Sequence, residues 1–254
     1  MHKEKFDELV KIMRKLRTDC SWDKVQTFDS IKAATLEETY EVLEAIDEKN
    51  YEDLKNELGD LLLHIVFHAA IAEDLKLFTI SDVIDSISEK LIRRHPHVFD
   101  NLEVADNKEI ERNWEKIKMK EGRDSILEGI PKKLPELQKS TRIQEKAAKV
   151  GFDWDNKNDV WKKVIEEIDE MHESEKTGDK NLLEKEMGDV FFALVNYSRF
   201  LGITAENALR RTNKKFMRRF RYIEEKLKEN NKSITESNLQ EMDQYWEESK
   251  KFYN

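Results

Sequence analysis

Residues 36–63 read LEETYEVLEAIDEKNYEDLKNELGDLLL, and residues 165–192, which lie 129 positions further along, read IEEIDEMHESEKTGDKNLLEKEMGDVFF. In each stretch a Glu-x-x-Glu pair precedes a Glu-x-x-Asp pair, and an apolar run follows the Asp directly. The apolar residues recur mostly at intervals of three and four, which is the period of an amphipathic helix. The two stretches therefore predict the same helical hairpin twice.

Two more blocks repeat in the same order around these hairpins. Residues 90–94 (KLIRR) match residues 215–219 (KFMRR) at a shift of 125, and the Trp-Asp pair at 22–23 matches the pair at 154–155 at a shift of 132. Three ordered blocks with small changes in spacing indicate an internal duplication. We predict an all-α fold of two tandem helical-bundle domains.

The composition agrees with long helices. The chain has 254 residues with only 7 Gly and 3 Pro, and its charged residues (39%) are interleaved with its hydrophobic ones (38%). Thr79 or Ser81 is expected to cap the fourth helix, which the His-Pro-His segment at 95–97 should end. The predicted helices are approximately 3–17, 30–48, 51–73, 79–94, 107–121, 134–150, 157–176, 180–201, 204–229 and 235–253.

The break between the two halves is expected where helix-breaking residues cluster. Gly122, Gly129, Pro131 and Pro135 fall within fourteen residues, although such residues are scarce elsewhere. We therefore predict a first helical domain at 1–122, a linker at 123–133 and a second helical domain at 134–254.

Charge and apolar patterning limit the partners and the compartment. The net charge of −9 disfavours stable nucleic-acid binding. The single cysteine, Cys20, fits a reducing compartment. The longest apolar run, at 61–71, is too short for a bilayer and is interrupted by His64 and His68. Since the N-terminus has no apolar signal core, we expect a cytoplasmic protein without membrane contact.

The acids of each hairpin should converge. Residues three apart share one face of a helix. Glu41 lies nine residues before Asn50, where the first hairpin should turn, and Glu57 lies seven after it. At ~1.5 Å per residue these arms are ~13 and ~10 Å long, so both acid pairs reach similar heights.

Four ionised carboxylates in one place require a cation. Oxygen ligands suit Mg²⁺, with Mn²⁺ as a substitute, and Mg²⁺ commonly completes its coordination with substrate phosphates. A lone Glu-x-x-Glu is usually just a solvated helix face, but a matched pair of motifs in two copies is more specific. The predicted metal ligands are Glu38, Glu41, Glu57, Asp60, Glu167, Glu170, Glu186 and Asp189.

Two other pairs of residues accompany the acids. Glu37 and Glu166 directly precede the first acid of each copy and are either surface charges, extra ligands or bases that accept a proton from an attacking water. Gly59 and Gly188 lie inside predicted helices beside the last acid. Because glycine costs about 1 kcal/mol there relative to alanine, they suggest close helix approach or ligand access.

The acid-bearing segments LEETYEVLEAI at 36–46 and ELGDLLL at 57–63 closely resemble the MazG family, as do CSWDKVQT at 20–27, RRHPHVF at 93–99 and, in the second half, KKFMRRFR at 214–221. The resemblance covers essentially the whole chain, including the tandem arrangement. It implies the all-α nucleoside triphosphate pyrophosphatase fold and Mg²⁺-dependent hydrolysis of ribo- and deoxyribonucleoside triphosphates, with broad base specificity, to monophosphate and pyrophosphate. It also implies a homodimer. Both copies keep all four acids, so neither is marked as inactive.

A triphosphate substrate also needs positive and aromatic side chains, because phosphoryl transfer is catalysed mainly by positioning and electrostatics. Aromatic rings can stack on a base, although packing in the core is an equal alternative for Trp154. The catalytic candidates are Glu37, Glu38, Glu166, Glu167 and Lys185. The substrate-binding candidates are Trp22, Arg93, Arg94, Lys118, Trp154, Lys185, Lys215, Arg219 and Trp246.

Three other interpretations compete with this one. A ferritin-type di-metal oxidase would need Glu-x-x-His motifs, whereas the fourth acid here is Asp and His64 aligns with Ala193. A non-enzymatic interaction protein would explain the charged helices but not the repeated acid spacing. A mixed case has one catalytic copy and one that binds nucleotide or a partner.

Overall fold

The computed structural model describes residues 2–100, 102–104, 106–122 and 124–253 of the chain, and every regular element in these ranges is a helix. The all-α prediction is therefore confirmed. Two short 3-10 turns, Asp23–Val25 and Ile234–Glu236, accompany the α-helices. The helices are α1 (His2–Asp19), α2 (Phe28–Glu48), α3 (Tyr51–Asp74), α4 (Ile80–Arg94), α5 (Pro96–Phe99), α6 (Asn107–Lys120), α7 (Glu136–Ala148), α8 (Lys157–Thr177), α9 (Lys180–Phe200), α10 (Ala205–Glu229) and α11 (Leu239–Ser249).

Capping residues explain where the helix ends differ from the prediction. Helix α2 begins two residues early because Thr27 forms a capping box, in which its hydroxyl accepts from the Ser30 N–H and its own N–H donates to the Ser30 hydroxyl. Helix α11 begins at Leu239 rather than near 235, because the Asn238 side chain accepts from the Glu241 N–H. Thr79 caps α4 as predicted.

The two predicted hairpins are present, with α2 packed on α3 and α8 packed on α9. Each first helix ends in a left-handed residue, Lys49 (φ 55°) in one copy and Gly178 (φ 73°) in the other. The next residue then caps the second helix, since the Asn50 and Asp179 side chains accept backbone N–H groups of its first turn. These tight turns place the acid pairs of each copy opposite one another.

The chain forms two compact units, 1–103 and 104–254, which we call the first and second units. The core of the first unit lies among α1, α2, α3 and the start of α4. Its buried residues are Met13, Ile31, Val66, Phe67, Ala69, Ala70, Ile71 and Ile80. The buried apolar residues of the second unit include Val160, Val164, Val190, Ala193, Val195, Ile223 and Leu227.

The division falls earlier than the predicted linker, because α6 belongs to the second unit. The buried Glu115 of α6 forms an ion pair with Lys118 at 2.7 Å and lies 3.9 Å from Lys149, which caps the end of α7. Trp114 lies under the ammonium groups of the same two lysines. Glycine and proline clusters show where helices end, but these contacts decide which unit a helix joins.

Several apolar side chains of the hairpin helices are exposed. The helical period of α2 predicts that Leu36 and Ile46 pack in its core stripe with Val42 and Leu43, but the side chains of Leu36 and Ile46 are 56% and 52% exposed, so this prediction is wrong. Among the residues the structure describes, no helix is long and apolar enough to cross a membrane.

Candidate active site

The first acid cluster lies between α2 and α3. Carboxylate oxygens of Glu38, Glu41 and Glu57 lie within 4.8 Å of one another. Asp60 is one turn further along α3 and is close enough for its charge to act on Glu38 and Glu57. The hairpin therefore brings three of the four predicted acids of this copy into one group, with the fourth beside it.

The crowded charges change the titration of this cluster. Partial burial, followed by the charges of Glu41 and Asp60, raises the pKa of Glu38 above its usual value, against an opposing effect of His64. Partial burial and the neighbouring Glu41 carboxyl raise the pKa of Glu57. Burial is the largest cause of both increases, and the neighbouring negative charges disfavour the ionised forms further. A bound cation would remove this repulsion.

A buried histidine adjoins the first cluster. Nε2 of His64 lies 3.7 Å from Glu38 Oε1, and its Nδ1 lies 3.0 Å from the Thr35 hydroxyl. The same hydroxyl contacts His68 Nε2 at 3.0 Å and donates to the carbonyl of Ile31. These contacts fix the orientation of the His64 ring, which is only 9% exposed, toward the acids.

The second acid cluster lies between α8 and α9. Carboxylate oxygens of Glu167, Glu186 and Asp189 lie within 4.8 Å of one another. The Lys163 ammonium lies 2.8 Å from Glu167 Oε1, and Lys185 Nζ lies 3.7 Å from Glu186 Oε1. The second cluster thus has two cationic neighbours.

Glu170, the fourth predicted acid of the second copy, lies on the open side of α8. It lines a shallow groove of about 470 Å³ with Trp161, Ile165 and Glu166. Glu166 also forms a 2.7 Å ion pair with Lys163. Its first-copy counterpart, Glu37, is exposed on α2. Both residues preceding the first acid are accessible to solvent, as either a base or a surface charge would be.

The predicted phosphate-binding residues are distributed over several elements. Arg93 and Arg94 lie in the last turn of α4, and Lys215 is exposed on α10. Arg219 donates from Nε to the carbonyl of Tyr253 at 2.8 Å. Lys118 is in the second unit, buried against Glu115 and Trp114, and not in the first unit where its predicted partners lie.

The tryptophan candidates differ in environment. Trp22 is 61% exposed and Trp154 is 41% exposed, so Trp154 is not a core residue. Trp246 is half-buried, with its ring 5.1 Å from Phe216 and under the guanidinium of Arg219. The last helix therefore brings an aromatic ring and a cation together beside α10.

The two helical glycines do not mark close packing within the chain. A Cβ added at Gly59 or Gly188 would meet no atom within 4 Å among the described residues. The interpretation as close helix approach was therefore wrong for a single chain, while ligand access stays a prediction.

Sequence reasoning missed Thr35, His64 and Lys163, which contact the clusters directly or through a neighbour. The duplication drew attention to residues that both copies share. Position 34 is Ala where the second copy has Lys163, and position 193 is Ala where the first has His64. A signal was nevertheless present, because Lys163 is four residues before Glu167 and thus on the same helix face.

Both halves of the chain are similar to one known protein family. The MazG nucleotide pyrophosphohydrolase domain family matches the chain twice, over residues 26–99 and 156–223. Each match contains one complete acid motif pair, together with α4 in the first match and most of α10 in the second. The two matches thus agree with the duplication that the sequence predicts.

Several relatives are similar over almost the whole chain. Identity is 45% over 250 residues to the nucleoside triphosphate pyrophosphohydrolase/pyrophosphatase MazG of Thermotoga maritima, covering 96% of this chain and 95% of that protein. It is 44% over 254 residues to the nucleoside triphosphate pyrophosphohydrolase of Escherichia coli K12, covering 96% and 97%. It is 47% over 252 residues to YabN of Bacillus subtilis, covering 96% of this chain and 51% of that protein. Because the family matches both halves and the relatives from Thermotoga maritima and Escherichia coli match over almost their whole length, the chain belongs to the MazG family.

Proposed function

We propose that this chain is a nucleoside triphosphate pyrophosphohydrolase, which cleaves ribo- and deoxyribonucleoside triphosphates to monophosphate and pyrophosphate with Mg²⁺, or Mn²⁺ as a substitute. The observation that carries the proposal is the duplicated acid cluster in a chain of the MazG family. The names of the full-length relatives from Thermotoga maritima and Escherichia coli support the reaction class. These names favour a hydrolase over an oxidase or a non-enzymatic scaffold.

The donor sets fit a hard divalent cation. Each cluster offers carboxylate oxygens within 4.8 Å of one another, and such oxygens are the ligands that Mg²⁺ and Mn²⁺ prefer. Burial raises the pKa values of Glu38 and Glu57 most, and the charges of the neighbouring acids add to the increase, so a bound cation would favour the ionised forms. The residues that would hold it are Glu38, Glu41, Glu57 and Asp60 in the first copy, and Glu167, Glu170, Glu186 and Asp189 in the second.

Hydrolysis adds water to a phosphorus and breaks the bond from that phosphorus to the bridging oxygen between the α and β phosphates. A bound divalent cation supplies charge neutralisation and a more acidic water. Glu37 and Glu166, exposed beside the clusters, accept the proton of the attacking water. Lys185, beside Glu186, offsets the charge of the departing pyrophosphate.

Other basic and aromatic residues would hold the rest of the nucleotide. Arg93 and Arg94 in the first unit, and Lys215 and Arg219 in the second, are the proposed phosphate contacts of their respective copies, whereas the buried Lys118 is excluded by its contacts with Glu115 and Trp114. Trp22, Trp154 and Trp246 are the proposed stacking partners of the base. Stacking tolerates every base, because each has an aromatic face, and it therefore fits broad base specificity.

A homodimer is the proposed assembly. The exposed apolar residues of α3, namely Leu58, Leu62 and Ile65, lie at the same repeat positions as Met187, Phe191 and Leu194 of α9. All six are 37–54% exposed, and their spacing of four and three residues makes a stripe on each helix. Duplicated stripes of this kind are typical of surfaces that a second copy covers.

Product analysis tests the proposed reaction. The full chain is incubated with each ribo- and deoxyribonucleoside triphosphate, with Mg²⁺ or with a chelator, and the products are separated by chromatography. We expect monophosphate and pyrophosphate in equal amounts, only when the cation is present. Diphosphate with inorganic phosphate, or hydrolysis that persists in the chelator, would contradict the proposal.

A further inference from the structure

The two acid clusters have equivalent glutamates at two positions, Glu38 with Glu167 and Glu57 with Glu186, but they differ in the third acid of the group and in their immediate neighbours. At a shift of 129, Lys163 beside the second cluster corresponds to Ala34, and His64 beside the first corresponds to Ala193. His64 lies 3.7 Å from Glu38, and Lys163 lies 2.8 Å from Glu167, so each contacts the first acid of its copy. The duplicated hairpins thus place related groups of carboxylates in two different electrostatic settings.

In the second cluster the Lys163 ammonium already forms an ion pair with the first acid, Glu167. Lys163 Nζ lies 2.8 Å from Glu167, which is only 8% exposed, and 2.7 Å from Glu166. Because Glu167 is buried, solvent and salt screen this ion pair less than they would at the surface. Lys185 adds a second positive charge 3.7 Å from Glu186. A free divalent cation entering here must compete with both lysines for the carboxylates.

In the first cluster the acids repel one another without such compensation. Within the described ranges, no lysine or arginine forms an ion pair with Glu38, Glu41, Glu57 or Asp60. The neighbour of Glu38 is the imidazole of His64, at 3.7 Å, which Thr35 holds in place. A divalent cation entering this cluster relieves repulsion among the acids and displaces no ammonium group.

We propose that the first cluster binds a free divalent cation more tightly than the second, because Lys163 neutralises Glu167 until a cation arrives together with a nucleoside triphosphate. The triphosphate supplies further oxygen ligands and negative charge, and these additional interactions allow the metal to displace the lysine from the carboxylates of the second cluster. This inference rests on the proposed function, which assigns a divalent cation to both clusters. It makes Lys163 the residue that sets the difference in affinity.

The experiment is a titration of the full chain with Mn²⁺, followed by the electron paramagnetic resonance signal of the free ion, without nucleotide. We expect two classes of site whose dissociation constants differ by roughly tenfold or more, the change that one strong charge interaction produces. Glu38→Gln should remove the tighter class, and Glu167→Gln should leave it.

Lys163→Met is the decisive variant. It keeps an unbranched apolar stem while removing the charge, and it should tighten the weaker class by roughly tenfold. The matched control is Lys176→Met, which removes a lysine from the same helix whose partner, Glu173, is outside the cluster. This control should leave both classes unchanged.

The outcomes separate this inference from the proposed function. Three results would overturn the inference without affecting the proposed cation requirement. They are equal affinity of all the sites, loss of the tighter class in Glu167→Gln, and no tightening of the weaker class in Lys163→Met. If the wild-type chain binds no Mn²⁺ at all, the proposed cation dependence fails together with the inference. A nucleotide hydrolysis assay on the same preparations distinguishes loss of activity from loss of binding.

Discussion

Lys49 and Gly178 occupy equivalent positions, 129 residues apart, at the turns of the two hairpins. Both are left-handed, with φ values of 55° and 73°. This conformation costs a residue with a Cβ roughly 1–2 kcal/mol, whereas glycine adopts it freely. The turn geometry is thus shared, but only one copy has the residue that favours it.

We expect Lys49→Gly to raise the free energy of unfolding of the first unit by up to about 1 kcal/mol, and Gly178→Ala to lower that of the second by about 1 kcal/mol. Urea denaturation, followed by circular dichroism, measures both. A matched control is Lys55→Gly, which places glycine inside α3 and should destabilise by about 1 kcal/mol. If Lys49→Gly is also destabilising, the strain assigned to this turn is absent.

At the same scale, the acids could be predicted from the sequence but their neighbours could not. The spacing of Glu38, Glu41 and Glu57 on two helices of known rise determines where their oxygens meet. His64 and Lys163 approach the clusters through side-chain rotamers and packing, and neither has a counterpart in the other copy to signal its role. A repeat identifies what its copies have in common, so the differences between them had to come from the structure.

In helix α6, Glu115 lies near lysines of α6 itself and of the end of α7. Burial alone would raise the pKa of Glu115, but the hydrogen bond from Lys118 and the charges of Lys146 and Lys149 outweigh it and hold the pKa below its usual 4.5. A folded-state pKa below the unfolded one stabilises the fold above the unfolded value, and this stabilisation is lost as the pH falls through the folded pKa. The docking of α6 should therefore weaken in acid.

We expect Glu115→Gln to lower the free energy of unfolding of the second unit by about 1–3 kcal/mol at pH 7, because the buried Lys118 loses its charged partner. The loss should shrink as the pH falls below about 4.5, where the wild-type carboxyl also becomes neutral. Urea denaturation of both proteins from pH 3 to pH 8 provides the comparison. A difference that is constant over this range would show that the charge of Glu115 is not what stabilises α6.

Helix ends were predicted well where a cap is visible in the sequence and poorly where two caps compete. Thr79 was identified as a cap and begins α4. Around residue 235, Ser233 and Asn238 both cap, and the chain uses the first for a 3-10 turn and the second for α11. The choice between them depends on tertiary contacts of the last helix, such as that of Trp246 with Phe216.

At the scale of the whole molecule, the duplication predicted two units but not their boundary. Gly122 and the prolines after it mark the end of α6, and the contact of Glu115 with Lys149 then joins that helix to the second unit. The exposure of the stripes could not be predicted either, because Leu58, Leu62 and Ile65 have the same helical period whether a core or another chain covers them.

The homodimer proposed here predicts the effect of a charge on each stripe. We expect Leu62→Glu combined with Phe191→Glu to convert a dimer to a monomer, because burying carboxylates in an apolar interface is strongly unfavourable. Size-exclusion chromatography with light scattering measures the mass. Leu75→Glu, at an exposed apolar residue after α3 and away from the stripe, is the control. A wild-type chain that is already monomeric would contradict the proposed assembly.

The central claim is that the paired acids of the two clusters perform nucleoside triphosphate hydrolysis, and one measurement tests it most directly. Pyrophosphate release with Mg²⁺ is compared among the wild type, Glu38→Gln, Glu167→Gln and the double variant, with Glu52→Gln combined with Glu173→Gln as a control that removes two exposed acids outside the clusters. We expect the double cluster variant to lose activity by roughly 100-fold or more, the two single variants to show how the copies divide the reaction, and the control to match the wild type. Full activity in the double cluster variant would contradict the account.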